Sequence, residues 1–257
     1  RASAAGGRPA PPTGGASSAD GTKLVAVAFN DLTYLSTDSG LNWNASPTPY
    51  NADNNPWTAV ASSADGTIVI RGMDFAGTGI IDVSTNSGAS FLGVWSSTGG
   101  VKGIACSADG SRVYVVHDNN SALSIYVPGT GWTERNAGLS AGRSIACSAD
   151  GVRVTAVGLY SIVHSFNSGA TWYVGTDSIL NDLQGYWTVI ALSADGTKAA
   201  ISKNFFGSGQ ILTGWAFSTA PGTAGYLSGS QYSAVELLYV GSGQFLPVSY
   251  VSTITPH

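Results

Sequence analysis

Short apolar runs rich in Val, Ile and Ala recur along this chain in pairs, with a polar turn inside each pair. Trp57-Thr58-Ala59-Val60-Ala61 precedes such a turn and Ile68-Val69-Ile70 follows it. Lys102 to Cys106 and Arg112 to Val116 repeat the arrangement, as do Ser144 to Cys147 and Arg153 to Val157. Lys23 to Val27 and Trp187 to Ala191 add single members. β-Branched runs of this length around Asp-Gly predict β-hairpins, because glycine accepts the positive φ that tight turns demand. The turn is the same string, Ser-Ala-Asp-Gly, five times over. Its aspartates are Asp20, Asp65, Asp109, Asp150 and Asp195, at intervals of 45, 44, 41 and 45 residues. One further step reaches Val240-Gly241-Ser242-Gly243, which reads as a decayed sixth copy.

A second motif follows the first at roughly 20 residues within each repeat. It reads Ser36-Thr37-Asp38-Ser39-Gly40-Leu41-Asn42-Trp43, then Ser84-Thr85-Asn86-Ser87-Gly88-Ala89-Ser90-Phe91, then Ser165-Phe166-Asn167-Ser168-Gly169-Ala170-Thr171-Trp172. Weaker copies end at Gly131-Trp132 and near Ser218 to Gly222. The motif resembles the Asp-box, or BNR repeat, familiar from sialidases and many other β-propellers. In such a turn the side chain of Asp38, Asn86 or Asn167 accepts bonds from turn amides, and the aromatic ring packs beneath. Four strands per ~44 residues match a propeller blade. The expectation is therefore an all-β chain: a β-propeller, six blades of four antiparallel strands, over residues 16–257. An Ala/Gly/Pro-rich leader or linker would occupy 1–15. Tyr232 to Leu238 and Gln244 to Thr253 would supply the last blade, completed by an N-terminal strand.

The order of strands fixes a geography. Both hairpin turns of a blade lie at one end of its strands. The opposite end carries the loops between second and third strands and the links between blades, which vary in length and sequence as binding loops do. Trp95 and Tyr186 are the aromatic ligand-binding candidates there, and Arg71 and Arg143 the cationic ones. The five turn aspartates, with Asp38, Asn86 and Asn167, read as structural. Asn44 and Asn119 begin N-glycosylation sequons. Cys106 and Cys147 hold equivalent places in neighbouring blades. They favour two buried free thiols over a bridge, which a tight ring would still permit. His117, His164 and His257 stand apart from one another, so no metal constellation is legible and no cofactor is expected.

Composition narrows the function. Only 10% of residues are Asp, Glu, Lys or Arg, and 34 of 257 are glycine, nearly twice the usual share of about 7%. Net charge is −4, with no basic run, which disfavours nucleic acid. No apolar stretch approaches the ~20 residues that span a bilayer. The sialidase resemblance implies three arginines, a Tyr/Glu pair and an aspartic acid/base. Arg71, Arg135 and Arg143 fall towards the loop end, but glutamate occurs only at Glu134 and Glu236, and the Arg-Ile-Pro motif is missing. No position carries over as catalytic. Asp53, Asp74, Asp118, Asp177 and Asp182 lie in loop-end segments, where a glycosidase pair would have to be found. The chain reads as a non-catalytic, secreted or cell-surface propeller that binds a glycan or an extracellular protein partner. A structural module of a larger extracellular assembly and a sialidase-like glycoside hydrolase are the alternatives.

Overall fold

The computed structural model describes residues 11–46, 55–118, 122–174, 186–205 and 208–215, and the strands of residues 227–229, 234–241, 244–251 and 254–256. The chain divides into two compact units, Arg1–Ala216 and Phe217–His257. Among the described residues every regular element is a β-strand.

Unit one holds five antiparallel sheets whose strands pair in chain order. Sheet one comprises β1 (Pro12–Ser17), β2 (Leu24–Ala28), β3 (Thr33–Ser36) and β4 (Asn44–Ala45). Sheet two comprises β5 (Trp57–Ser62), β6 (Val69–Phe75), β7 (Thr78–Ser84) and β8 (Leu92–Thr98). Sheet three has β9 (Val101–Cys106), β10 (Val113–His117), β11 (Ala122–Val127) and β12 (Gly131–Asn136). Sheet four has β13 (Gly142–Cys147), β14 (Val154–Gly158), β15 (Ile162–Ser165) and β16 (Tyr173–Val174). Sheet five has β17 (Tyr186–Leu192), β18 (Lys198–Phe205) and β19 (Ser208–Trp215). The first strands of consecutive sheets, β1, β5, β9, β13 and β17, lie side by side.

In unit two, β20 (Leu227–Gly229) pairs with β23 (Ile254–Pro256), and β21 (Ala234–Gly241) with β22 (Gln244–Val251). The decayed sixth copy of the turn falls at the β21–β22 hairpin, with Ser242 and Gly243 outside the described residues. The N-terminal strand differs from the expectation. β1 is the first strand of sheet one, and it begins at Pro12, inside the stretch read as a leader. Proline is tolerated there because a strand's first residue need not donate to the ladder. The Thr13 hydroxyl anchors it by bonding Trp57 O at 2.8 Å in sheet two.

Each Ser-Ala-Asp-Gly string closes on itself and on its neighbour. Ser18 Oγ donates to Asp20 Oδ1 at 2.6 Å and accepts from the Lys23 amide at 3.0 Å. Asp20 Oδ1 also takes the Thr22 amide at 3.0 Å. Gly21 turns the chain with φ of 71°, a region that favours glycine. The alanine has the outward task. Ala19 N–H donates to Ala64 O, Ala64 N–H to Ala108 O, Ala108 N–H to Ala149 O and Ala149 N–H to Ala194 O, each at 2.7 Å.

The second hairpin turn has its own closure. Ser36 Oγ accepts from Gly40 N at 2.9 Å, Asp38 Oδ1 accepts from Asn42 N at 2.9 Å, and Trp43 Nε1 donates to Gly40 O at 3.1 Å. Asn86 and Asn167 accept equivalent amide bonds from Ser90 and Thr171. The Ser39 amide then ties this turn to the first by donating to Thr22 O at 3.0 Å.

Between sheets lies the core. Val25, Val27, Trp57, Val60, Val69 and Met73 fill the space between sheets one and two. Ile70, Ile81, Val101, Ile104, Val113 and Val115 fill the next, followed by Tyr114, Leu123, Ile125, Ile145, Val154 and Val163. Val157, Ile162, Trp187 and Ile190 fill the space between sheets four and five. Central strands bury side chains on both faces, which is why β10 and β14 run apolar almost without alternation. Ser107, 1% exposed, supplies the central oxygen of the third turn. Replacing it with alanine strands the Arg112 amide, and Ser107→Ala is expected to lower unfolding free energy by about 1–3 kcal/mol. Urea denaturation reads this as a lower midpoint at unchanged slope; an unchanged midpoint would contradict the turn's role.

Candidate ligand-binding face

At the end of the strands opposite the serine turns, the first strand of each sheet carries a bulge near its start. The extra residues are Thr13, Thr58, Lys102, Arg143 and Thr188. A bulge takes one side chain out of the alternation and re-aims it. Thr13 and Thr58 use this to bond carbonyls of the next sheet, Trp57 O and Val101 O, at 2.8 and 2.6 Å. Lys102 reaches Asp74 Oδ2 and Asp118 Oδ2, each at 3.1 Å. Arg143 is exposed, and no carboxylate pairs with it among the described residues.

The Lys102 clamp brings together two of the loop aspartates, Asp74 and Asp118. Burial raises the Asp74 carboxyl, but the Lys102 ammonium and the Gly77 amide outweigh it, so its pKa lies below the ordinary carboxylate value. A glycosidase acid needs the reverse shift. Asp53, Asp177 and Asp182 lie outside the described residues.

Two of the four ligand-binding candidates are engaged inside the fold. Arg71 is 2% exposed, its guanidinium between the Trp57 and Phe91 rings at 3.9 and 3.8 Å. It bonds Asp82 Oδ2 at 2.9 Å and Thr33 Oγ1 at 2.9 Å, linking sheet two to sheet one. Sequence placed it towards the loop end but gave no sign of the two rings that enclose it. Trp95 is half-buried, stacked on Trp132 of sheet three at 5.8 Å and 15°, so it is packing rather than a free platform. Its Nε1 donates to Ser124 Oγ at 3.3 Å.

Tyr186 and Arg143 are exposed. Tyr186, at 50% exposure, meets Tyr160, at 52%, with ring centroids 5.8 Å apart and planes 53° apart. Hydrogen bonding to Tyr186 raises the Tyr160 phenol above its ordinary value. The backbone beneath is fixed, because Leu159 N donates to Ser140 O at 2.8 Å and Ser140 N to Ser161 Oγ at 2.9 Å. Ser140, just before β13, thus holds the Tyr160 loop, and Tyr186 begins the neighbouring β17, so the two tyrosines meet where sheet four meets sheet five. Tyr160 was not among the sequence candidates. Its signal was register: Phe29, Phe75 and Tyr160 each follow or end the second strand of a sheet, and all three are about half exposed.

The remaining candidates are placed as follows. Asn44 is exposed on β4, although Ser46 of its sequon is buried and donates to Gly88 O at 2.6 Å. Asn119 lies outside the described residues. Asp20, Asp65, Asp109 and Asp195 are held at about 2, first by the serine hydroxyl and then by a turn amide. Asp150 and Asp38 are lowered in the same way, Asp150 mainly by Ser148 and Asp38 mainly by the Asn42 amide. Cys106 packs between sheets two and three and Cys147 between sheets three and four. They therefore sit on opposite faces of sheet three as free thiols, and burial pushes both up to about 12. Among the described residues no group of His, Cys, Asp and Glu could hold a metal ion. Among the described residues no helix is long and apolar enough to cross a membrane.

No protein-family model matches the chain, and a search of curated proteins finds no match. Solved structures do match. An ancestral GH74 enzyme aligns with a TM-score of 0.57 and 15% identity, over 76% of this chain and 27% of that one. The GH74 enzyme of Niastella koreensis aligns at 0.57 and 18%, over 80% and 30%. Hydrazine synthase of Kuenenia stuttgartiensis aligns at 0.57 and 15%, over 79% and 59%. The fold is a β-propeller. The chain spans less than two thirds of each of those proteins, and at such identities the likeness carries the architecture alone.

One group that sequence reasoning passed over sits inside the propeller wall. His117 is fully buried between sheets two and three. Its Nδ1 lies 3.2 Å from Ser97 Oγ and its Nε2 2.8 Å from Ser124 Oγ. Ser124 Oγ also accepts from Trp95 Nε1 at 3.3 Å, so the ring is held in a closed set of hydrogen bonds between the two sheets. Burial drives the imidazole down to about 4 from 6.5, although a bond to the Gly99 backbone favours the charged form. The folded value lies below the unfolded one, so the unfolded chain binds this proton first. The stabilising difference is complete above pH 6.5 and is lost as pH falls to 4, amounting to about 3 kcal/mol. Denaturant titrations across that window should show the loss, and His117→Gln should flatten it; an identical slope in the variant would contradict the assignment.

Proposed function

We propose that this chain is a non-catalytic, extracellular or cell-surface β-propeller of six ~44-residue blades, with Asp-box second turns, that binds carbohydrate through its loop end. The observation that carries the reading is the exposed Tyr160–Tyr186 pair at the loop end, where Arg143 of β13 is also exposed. Two half-exposed rings stand on a backbone held by hydrogen bonds, and the exposed Arg143 has no carboxylate partner among the described residues. Sugars suit such a corner: their C–H faces stack on aromatic rings, while phenol hydroxyls and a guanidinium bond their edges. The low overall charge and the Asn44 sequon fit an extracellular setting. The lowered Asp74 carboxyl weighs against hydrolysis at the Asp74–Asp118 pair, since both acids serve Lys102.

A glycan array tests the reading. Binding is expected, with Tyr160→Ala, Tyr186→Ala and Arg143→Ala each weakening it by roughly tenfold, about 1.4 kcal/mol. Trp95→Ala should act through stability rather than affinity. Silence across the array would overturn the carbohydrate reading and leave a protein partner as the ligand class to pursue.

A further inference from the structure

We propose that Tyr160 and Tyr186 form an oxidative cross-linking site, where a peroxidase and hydrogen peroxide join the two rings and staple sheet four to sheet five. The inference needs only the two phenols and stands whether or not the corner binds sugar. Three observations carry it. The rings are adjacent, with centroids 5.8 Å apart, and both are half exposed to an oxidant. They come from different sheets, Tyr160 from the β14–β15 loop and Tyr186 from the start of β17. The other tyrosines of unit one whose side chains are described have other neighbours: Tyr34 bonds Asp31, Tyr114 is buried on Gly151 O, Tyr126 packs on Trp132, and Tyr173 packs on Phe166.

The chemistry balances as a two-electron oxidation. Each phenol gives up one electron and its hydroxyl proton, forming a phenoxyl radical with spin on the carbons ortho to oxygen. Coupling forms one carbon–carbon bond between ortho positions. The two ring hydrogens then pass to the oxygens, restoring both phenols. The peroxide takes up two electrons and two protons and leaves as two waters. Geometry favours the intramolecular product, since the partner ring is already held beside the radical.

The bond has a structural counterpart. Between sheets one and two, and between sheets two and three, a bulge threonine ties the loop ends together through Thr13 and Thr58. At the junction of sheets four and five the equivalent position is Arg143, which makes no such tie among the described residues. A covalent bond between the tyrosines fastens that end.

The test treats dilute full-length chain with a haem peroxidase and hydrogen peroxide. The expected product is monomeric, has dityrosine fluorescence, is two hydrogens lighter, and yields on proteolysis a single cross-linked pair of peptides containing Tyr160 and Tyr186. Its Tm should exceed that of untreated protein. Tyr160→Phe and Tyr186→Phe, which keep the rings, should each abolish the intramolecular product. Cross-links only between molecules, linkage through other tyrosines, persistence in either variant, or no dityrosine would each overturn the proposal. Glycan binding of the Phe variants, read separately, reports on the carbohydrate reading without bearing on this one.

Discussion

One backbone hydrogen bond, made four times, sets the spacing of the sheets. The alanine of each of the first four Ser-Ala-Asp-Gly turns donates its amide to the alanine carbonyl of the next turn at 2.7 Å, from Ala19 through to Ala194. The bond requires the turn to be closed from inside, so that the alanine is free to point outward. Ser18, Ser63, Ser107, Ser148 and Ser193 do this by bonding their aspartates, which in turn cap the following amide. Glycine serves twice over. Gly110 adopts φ of 69°, and a Cβ there would stand 2.9 Å from Ile68 of the preceding sheet. Substitution would therefore both strain the turn and push the sheets apart.

With one edge of each sheet fixed in this way, the apolar faces have little choice but to stack. Four clusters glue five sheets in sequence, each using residues from two neighbours only. Nearest-neighbour packing of this kind is what a repeat architecture implies. It also accounts for the low charge, because central strands have no solvated face. The opposite end is fastened less uniformly, by two threonines, a lysine clamp and the buried Arg71 sandwich. That irregularity is where the exposed tyrosines and Arg143 reside.

How much was legible in the sequence follows from how local each interaction is. The turns were legible, because Ser18, Asp20 and Gly21, or Ser36, Asp38 and Gly40, act within a few residues and repeat. Sheet order followed from the same strings. β1 was not legible as far as Pro12, since its Pro, Gly and Thr residues resemble a linker and its anchor, Trp57 O, lies 44 residues away. The partners of Arg71 and Trp95 were not legible for the same reason. An arginine on a strand near a loop looks solvated until Trp57 and Phe91 are seen on either side of it, and the partners of Trp95 are in another sheet. Tyr186 was picked as exposed, but its partner Tyr160 could be found only by aligning the ends of second strands.

Amide hydrogen exchange tests the alanine ladder most directly. The side chains of Ala19 and Ala149 face solvent, as do many turn residues, so an isolated hairpin would exchange these amides quickly. If the ladder holds the sheets together, the amides of Ala64, Ala108 and Ala149 exchange only through large-scale opening, as slowly as core-strand amides such as Val115 and Ala156. Exchange of these alanine amides at the rate of exposed turn amides, with the core strands still protected, would contradict the account.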